Sequence, residues 1–372
     1  MENEIETLLN KGNSILKFTE AEKVRDLIGI NKFRKKIKRE IAFLQTIPSK
    51  IHITDAYVKC SNLRHLETLI IKASEADECV ALLHVFKYTD PIGKSPKKLV
   101  VDFVSHGGKR WNKVSARNPK ALTTNSVDNN SIYGSRSIID QANDYLECAR
   151  ENLHLFQIPE IVFHFASGIE ASLAHIFKNM EVVVEGEIID DGSGLLVESK
   201  PALPDNNESN TLNLDITTML AYIASSTNGG CYAKISSPVL SLQLLSEQKH
   251  HVKKYLDELF DEKELVCCQT AFDSFKSILS TIAGPGEKIR GDELIERLKV
   301  VPDCPSEKAL SLRAGGKVKH RSVVIFGTGD TLKIPTVTAN VGFVRAAEHQ
   351  NINFAVFTHE SRSLTEAKEI RD

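Results

Sequence analysis

NLDITTMLAYI, from Asn213 to Ile223, and GTGDTLKIPTVTANVGF, from Gly327 to Phe343, are the stretches whose reading decides the fold class. Each sets a carboxylate, Asp215 or Asp330, where an apolar strand is expected to run out. A parallel sheet gathers its strand ends in one crevice, and crowded carboxylates commonly hold a divalent cation. Asp215 follows Leu212 and Leu214 and precedes the helical stretch Ile216 to Ile223, so it also suits a helix N-cap. Asp330 follows Ser322 to Phe326, read as a strand, in a turn flanked by glycines.

Outward from these stretches, strand and helix alternate. A strand and helix are expected at 211–226, a helix at 248–262, a strand and helix at 264–282, and helices at 290–299 and from about 306. GPGE, Gly284 to Glu287, reads as a turn with helix capping, because Pro285 has no amide hydrogen to offer a phosphate. Asp190 to Asn210 collects Asp, Gly, Ser, Pro and Asn, so residues 191–208 are expected to link a domain at 1–190 to a second at 209–372.

The first domain opens with helices. Phe33, Ile37, Ile41 and Leu44 recur at helical spacing among Lys32, Arg34, Lys35, Lys36, Lys38 and Arg39, which reads as a basic amphipathic helix with a solvated outer face. Leu99–Val104 and Trp111–Ala116 read as strands about a glycine turn, and Ser137–Ala149 as a helix. Ile161–Phe165, the stretch Leu173–Met180 and Glu181–Ile189 read as strand, crossover helix and parallel strand. The fold class expected is α/β: a helical start with an α/β region, then an α/β/α domain on a mainly parallel sheet. Asp102 and Lys113 on neighbouring strands lack the acid two residues before the lysine that a restriction-nuclease-like site needs, since Trp111 stands there.

The 372 residues, 41% of them hydrophobic, suffice for two cores. No apolar run approaches the ~20 residues that cross a bilayer, and the first thirty residues are charged throughout, so an intracellular protein, cytoplasmic or nuclear, with no membrane partner is expected. Seven cysteines without a CxxC pair suit a reduced compartment. Residues 1–190 carry 26 Lys and Arg against 25 Asp and Glu, net +1, and residues 191–372 carry 21 against 24, net −3. Neither half is a polycation, so any contact with RNA must come from local patches.

Residues from about 209 resemble the PIN-domain superfamily of metal-dependent ribonucleases, whose members open on a strand ending in a DT[ST]-like motif and close with an acid-bearing segment before a T-x-[DN] strand end. The whole chain resembles a eukaryotic family of uncharacterised proteins with a PIN-like C-terminal domain. NLDITTMLAYI, GPGE, VVPDCPSEKALSL (Val300 to Leu312), IFGTGDTLK and TVTANVGFVRAA carry that similarity.

The resemblance implies a site and a reaction. Asp215 matches the first acid and Thr217 the hydroxyl after it; Asp330 matches the third acid, and Asn340, in TAN after Thr338, stands in the fourth position. Asp273 fits the second acid, with Glu287 as the fallback. A second registration makes Thr328 and Asp330 the strand end and Glu307 the third acid. In the first registration Asp215, Asp330, Asn340 and Glu287 would hold Mg²⁺ or Mn²⁺, with Asp215, Asp330 and Asp273 catalytic in phosphodiester hydrolysis. Thr217, Thr338, Lys317, Lys319 and Arg321, with His320 beside them, would steer the RNA. Asn340 brings no charge, and Pro335 cuts short the segment where active members place a full helix. The alternative is therefore a catalytically inactive PIN-like scaffold that binds RNA, or protein partners through the N-terminal domain.

Overall fold

A computed structural model describes residues 2–46, 62–91, 93–127, 136–195 and 209–370. The chain is α/β throughout and divides into two compact units, Met1–Leu203 and Pro204–Asp372. Residues 196–208 of the expected linker lie outside the described residues.

The first unit opens with α1 (Glu2–Phe18), α2 (Ile30–Thr46) and α3 (Leu63–Glu75). Helix α2 is the basic amphipathic helix: Phe33, Ile37 and Leu44 are buried while its basic residues stay largely in solvent. Then come β1 (Ala81–Thr89), β2 (Pro96–Ser105), β3 (Arg110–Ser115), α4 (Pro119–Val127), α5 (Ile138–Glu151), β4 (Glu160–Phe165), β5 (Ile169–Glu170), α6 (Ala171–Asn179), β6 (Val183–Glu185) and β7 (Ile188–Ile189). The sheet order is β1-β2-β3-β4-β6, antiparallel through β3 and parallel from β3 to β6. Helix α5 starts at a capping box in which Ser137 and Asp140 serve each other's amides. Phe103 and Val114 pack with the residues of α1 to α3, while Trp111 and Phe163 pack with those of α4 to α6, so each face of the sheet carries a core. The strand expected over 181–189 is split: β6 continues the main sheet, and β7 pairs with β5 instead.

The second unit contains β8 (Thr211–Leu214), α7 (Ile216–Ile223), α8 (Pro238–Glu247), α9 (Val252–Phe260), β9 (Glu264–Cys268), α10 (Gln269–Ile282), α11 (Pro285–Arg297), β10 (Leu298–Val301), α12 (Glu307–Leu310), α13 (His320–Leu332), β11 (Thr336–Thr338), α14 (Val341–His349) and β12 (Val356–Thr358). Its sheet, ordered β10-β9-β8-β11-β12, is parallel at every pairing. Strand order runs one way from β8 to β10 and the other way from β11 to β12, so it reverses between β8 and β11. That reversal opens a crevice beyond the carboxyl ends of these two strands.

Ser322–Phe326 is not a strand. It belongs to α13, in which every residue from Val323 to Asp330 is buried. A helix enclosed on all sides loses its amphipathic period, and its apolar run then has the composition of a buried strand. Gly327 and Gly329 permit that enclosure. A Cβ on Gly327 would stand 2.7 Å from Ala309 Cβ in α12, and one on Gly329 would stand 2.5 Å from Thr336 Oγ1 and 2.8 Å from Asn213 Nδ2.

Candidate functional site

Helices α7, α10 and α14 begin directly beyond β8, β9 and β11, with Asp215, Cys268 and Asn340 as N-caps. Helix α13 begins at the same end of the sheet, since Asn340 Nδ2 donates to Ser322 Oγ in its first turn at 3.3 Å. Three helix amino termini, those of α7, α13 and α14, each a partial positive charge, therefore open on the β8/β11 crevice, and α10 begins one strand away beyond β9.

Asp215 is the buried acid of this crevice, 4% exposed. Its Oδ1 accepts from Ile216 N at 2.7 Å, and its Oδ2 accepts both the Thr217 hydroxyl at 2.8 Å and the Thr338 hydroxyl at 2.7 Å. Each threonine oxygen is engaged in turn, Thr217 Oγ1 accepting from Ala339 N and Thr338 Oγ1 from Asn340 N, both at 2.9 Å. Asn340 Oδ1 caps α14 through Phe343 N at 3.2 Å. Two pairs of near neighbours distant from each other in the chain, Asp215 with Thr217 and Thr338 with Asn340, are thus brought into one hydrogen-bonded circuit.

Beside it, His359 follows β12. Its Nδ1 faces the Glu360 carbonyl at 2.9 Å and its Nε2 faces Thr218 Oγ1 at 2.8 Å, while the same hydroxyl lies 2.7 Å from Val337 O. Burial lowers the His359 pKa, and the neutral ring keeps its proton on Nδ1, so Val337 O and Nε2 compete for one hydroxyl proton.

The other expected ligands go elsewhere. Asp330 is in the last turn of α13, not in a turn after a strand; α13 runs away from the crevice, and eight residues at ~1.5 Å rise carry Asp330 about 12 Å along it from Ser322. There its carboxylate pairs with Lys308 at 3.1 Å. Glu287, wholly buried, accepts from Ser225, Thr365 and Glu366 amides on Oε1 and from Gly284 N on Oε2. It closes the capping box of α11 and joins three segments there. Asp273 lies exposed on α10, bonded to Gln269, and Glu307 is exposed in the first turn of α12. The second registration fails with the strand it assumed: Thr328 Oγ1 donates back to Val324 O as a helical residue does. Among the described residues no three His, Cys, Asp or Glu side chains gather in a group that could hold a metal ion.

Residues 4–213, more than half of the chain, match the model described as "Family of unknown function (DUF5614)". The chain belongs to the DUF5614 family. Residues 212–372 match a second model, "Protein of unknown function (DUF1308)". No solved structure matches the chain.

In this DUF5614 member the Asp215 circuit falls within the DUF1308 match. Two residues at the same strand ends carried no earlier expectation. Asp303, just beyond β10, accepts from Thr270 N at 3.0 Å and Thr270 Oγ1 at 2.7 Å; burial raises its carboxyl pKa, but these bonds outweigh it and the net shift is downward. Its signal was the acid after the short apolar step Val300–Val301, and His359 had no comparable one because β12 is three residues long. Lys317, Lys319, His320 and Arg321 are exposed where α13 starts, and Lys317 runs beside Gly342 in the first turn of α14, where an added Cβ would lie 3.4 Å from its Cδ. The set-aside pair of the first unit is an ion pair, Lys113 Nζ 3.1 Å from Asp102, whose carboxylate also accepts from Val114 N.

Proposed function

We propose that residues 209–372 form a PIN-like domain that binds RNA without cutting it. The observation that carries this reading is the state of Asp215: its Oδ2 already holds two hydroxyl protons, and the acids expected to complete a metal shell are bound at other places in the unit. A hard divalent ion takes six or more oxygen ligands, several of them anionic. One spent carboxylate and one amide do not fit Mg²⁺ or Mn²⁺, and the residue that meets Asn340 from α13 is Ser322 rather than an acid. No metal-assisted step is assigned to this crevice.

What supports RNA is the electrostatics. Lys317, Lys319, His320 and Arg321 stand where α13 and α14 begin, and helix amino termini favour phosphate oxygens. Such a patch reads backbone rather than sequence. The test is fluorescence anisotropy of the full chain with labelled single-stranded and hairpin RNAs across a salt series, with gels run in Mg²⁺ and Mn²⁺. Salt-sensitive binding with intact RNA is the expected result. Cleavage lost in Asp215→Asn would restore the ribonuclease reading, and absence of binding at low salt would refute RNA as the partner.

A further inference from the structure

Helix α2 carries six cations, Lys32, Arg34, Lys35, Lys36, Lys38 and Arg39, against the single acid Glu40, net +5, although residues 1–190 as a whole are net +1. Arg34 donates to Thr19, Lys32 donates to the Leu83 carbonyl at 2.9 Å, and Glu40 accepts from Asn62. Lys35, Lys36, Lys38 and Arg39 are exposed, and none of them has an ion pair or a hydrogen-bond acceptor among the described residues. Helix stability does not explain them. Lys35 with Lys38, Lys36 with Arg39, and Lys35 with Arg39 stand three or four residues apart, the spacing at which like charges on a helix repel. All six cations precede Glu40, with no acid in the first turn and no base in the last, whereas the helix dipole favours the opposite placement. Lys36 and Arg39 lead along one line of the helix to Phe43, whose ring is 37% exposed. The basic surface continues past α2. Burial first, and then the charges of Lys113, Lys36 and Arg117, lower the pKa of the half-buried His65 in α3 against the pull of Asp102, and the exposed Arg117 likewise has no partner among the described residues.

We propose that this face of α2 binds single-stranded nucleic acid, its cations holding backbone phosphates and Phe43 stacking on a base. A basic stripe along a helix is the electrostatic footprint of a nucleic-acid surface. Sequence-independent binding of single strands joins such cations to an aromatic ring, on which any base can stack and which a base paired inside a duplex does not reach. An anionic membrane is the poorer fit. A bilayer surface takes the apolar face of an amphipathic helix, and that face of α2, formed by Phe33, Ile37 and Leu44, is wholly buried in a core of the first unit. The surface falls within the DUF5614 match and does not rest on the RNA reading of the strand-end crevice.

Fluorescence anisotropy of the full chain across a salt series tests it, with labelled oligouridine RNA, oligothymidine DNA and a blunt duplex. Each probe is also measured in a chain carrying Lys317→Gln, Lys319→Gln and Arg321→Gln, which lacks the basic group of the second unit. Replacing Lys35, Lys36, Lys38 and Arg39 together by glutamine should lower the slope of log affinity against log salt by about 3 in both backgrounds, at ~0.7 per phosphate contact. Phe43→Leu should weaken single-strand binding about tenfold and leave the slope unchanged. The fourfold replacement relieves repulsion within α2, so a urea midpoint that holds or rises separates lost binding from lost folding. The tighter of the two single strands identifies the sugar that the surface prefers. A slope unmoved by the fourfold replacement, full affinity in Phe43→Leu, a duplex bound as tightly as the single strands, or binding to phosphatidylserine vesicles in preference to both strands would overturn the proposal.

Discussion

Thr338 donates its hydroxyl proton to Asp215 across the point where the strand order reverses, Oγ1 to Oδ2 at 2.7 Å. The bond ties β11 to the amino end of α7 and also holds the Asn340 amide through Thr338 Oγ1. Thr338→Val removes both roles while keeping the shape. It should cost roughly 1–3 kcal/mol of stability, the price of leaving a buried partner unsatisfied, and Thr338→Ser should recover most of it. Urea unfolding followed by circular dichroism measures the difference; an unchanged midpoint in the valine variant would show that the circuit is not structural.

Glu287 behaves as a joint rather than a ligand. Four backbone amides point at its carboxylate, and a glutamine would turn an NH₂ toward at least one of them. Glu287→Gln should destabilise the second unit by roughly 3 kcal/mol, whether or not Mg²⁺ or Mn²⁺ is present. Stability that rose with either ion in the native chain and not in the variant would return Glu287 to the metal site.

At Gly329, α13 lies against the sheet with no room for a side chain. A methyl group there would enter the Thr336 hydroxyl and the Asn213 amide. Gly329→Ala should cost about 1–3 kcal/mol by overpacking, although alanine is the better helix former by about 1 kcal/mol. A stabilised variant in urea would mean that α13 is free to shift.

The first unit should weaken in mild acid. Burial lowers the pKa of His65, His84 and His154 below the ordinary 6.5. Between those lowered values and 6.5 the unfolded chain binds protons that the folded chain refuses, so stability is complete above 6.5 and falls as the pH drops through that window. Trp111, the chain's one tryptophan, is buried in this unit, and its fluorescence reports the transition. The urea midpoint should be lower at pH 5.5 than at pH 7.5, with the gap narrowed by His65→Gln; equal midpoints would contradict it.

RNA affinity should track the basic group before α13. Replacing Lys317, Lys319 and Arg321 together by glutamine removes three phosphate contacts. The slope of log affinity against log salt should then fall by about 2, at ~0.7 per contact for a single strand. A slope unchanged by the triple variant would place the RNA surface elsewhere.

Which residues form strands and which cap helices was legible where the local signal is strong. Ser137 and Asp215 announce helix starts through short polar side chains next to apolar runs, and GPGE does so through Pro285 in the first turn and Glu287 reaching back to the Gly284 amide; capping depends on three or four neighbouring residues. Ser322–Phe326 was illegible for the opposite reason. It runs on into Gly327 and Gly329, which pack against Pro305, Ala309, Asn213 and Thr336, and burial of every residue from Val323 to Asp330 erases the period by which a helix is recognised. The site divides in the same way. From its own sequence the chain determined that Asp215 ends a strand and that TAN ends another, because strand ends and caps are local events. Only the tertiary structure decided that Thr338 would occupy the Asp215 carboxylate, that Asp330 would be carried off along a helix to Lys308, and that Glu287 would be consumed by backbone amides. Those outcomes depend on strand order and helix direction, which long-range packing fixes after local preferences have been spent.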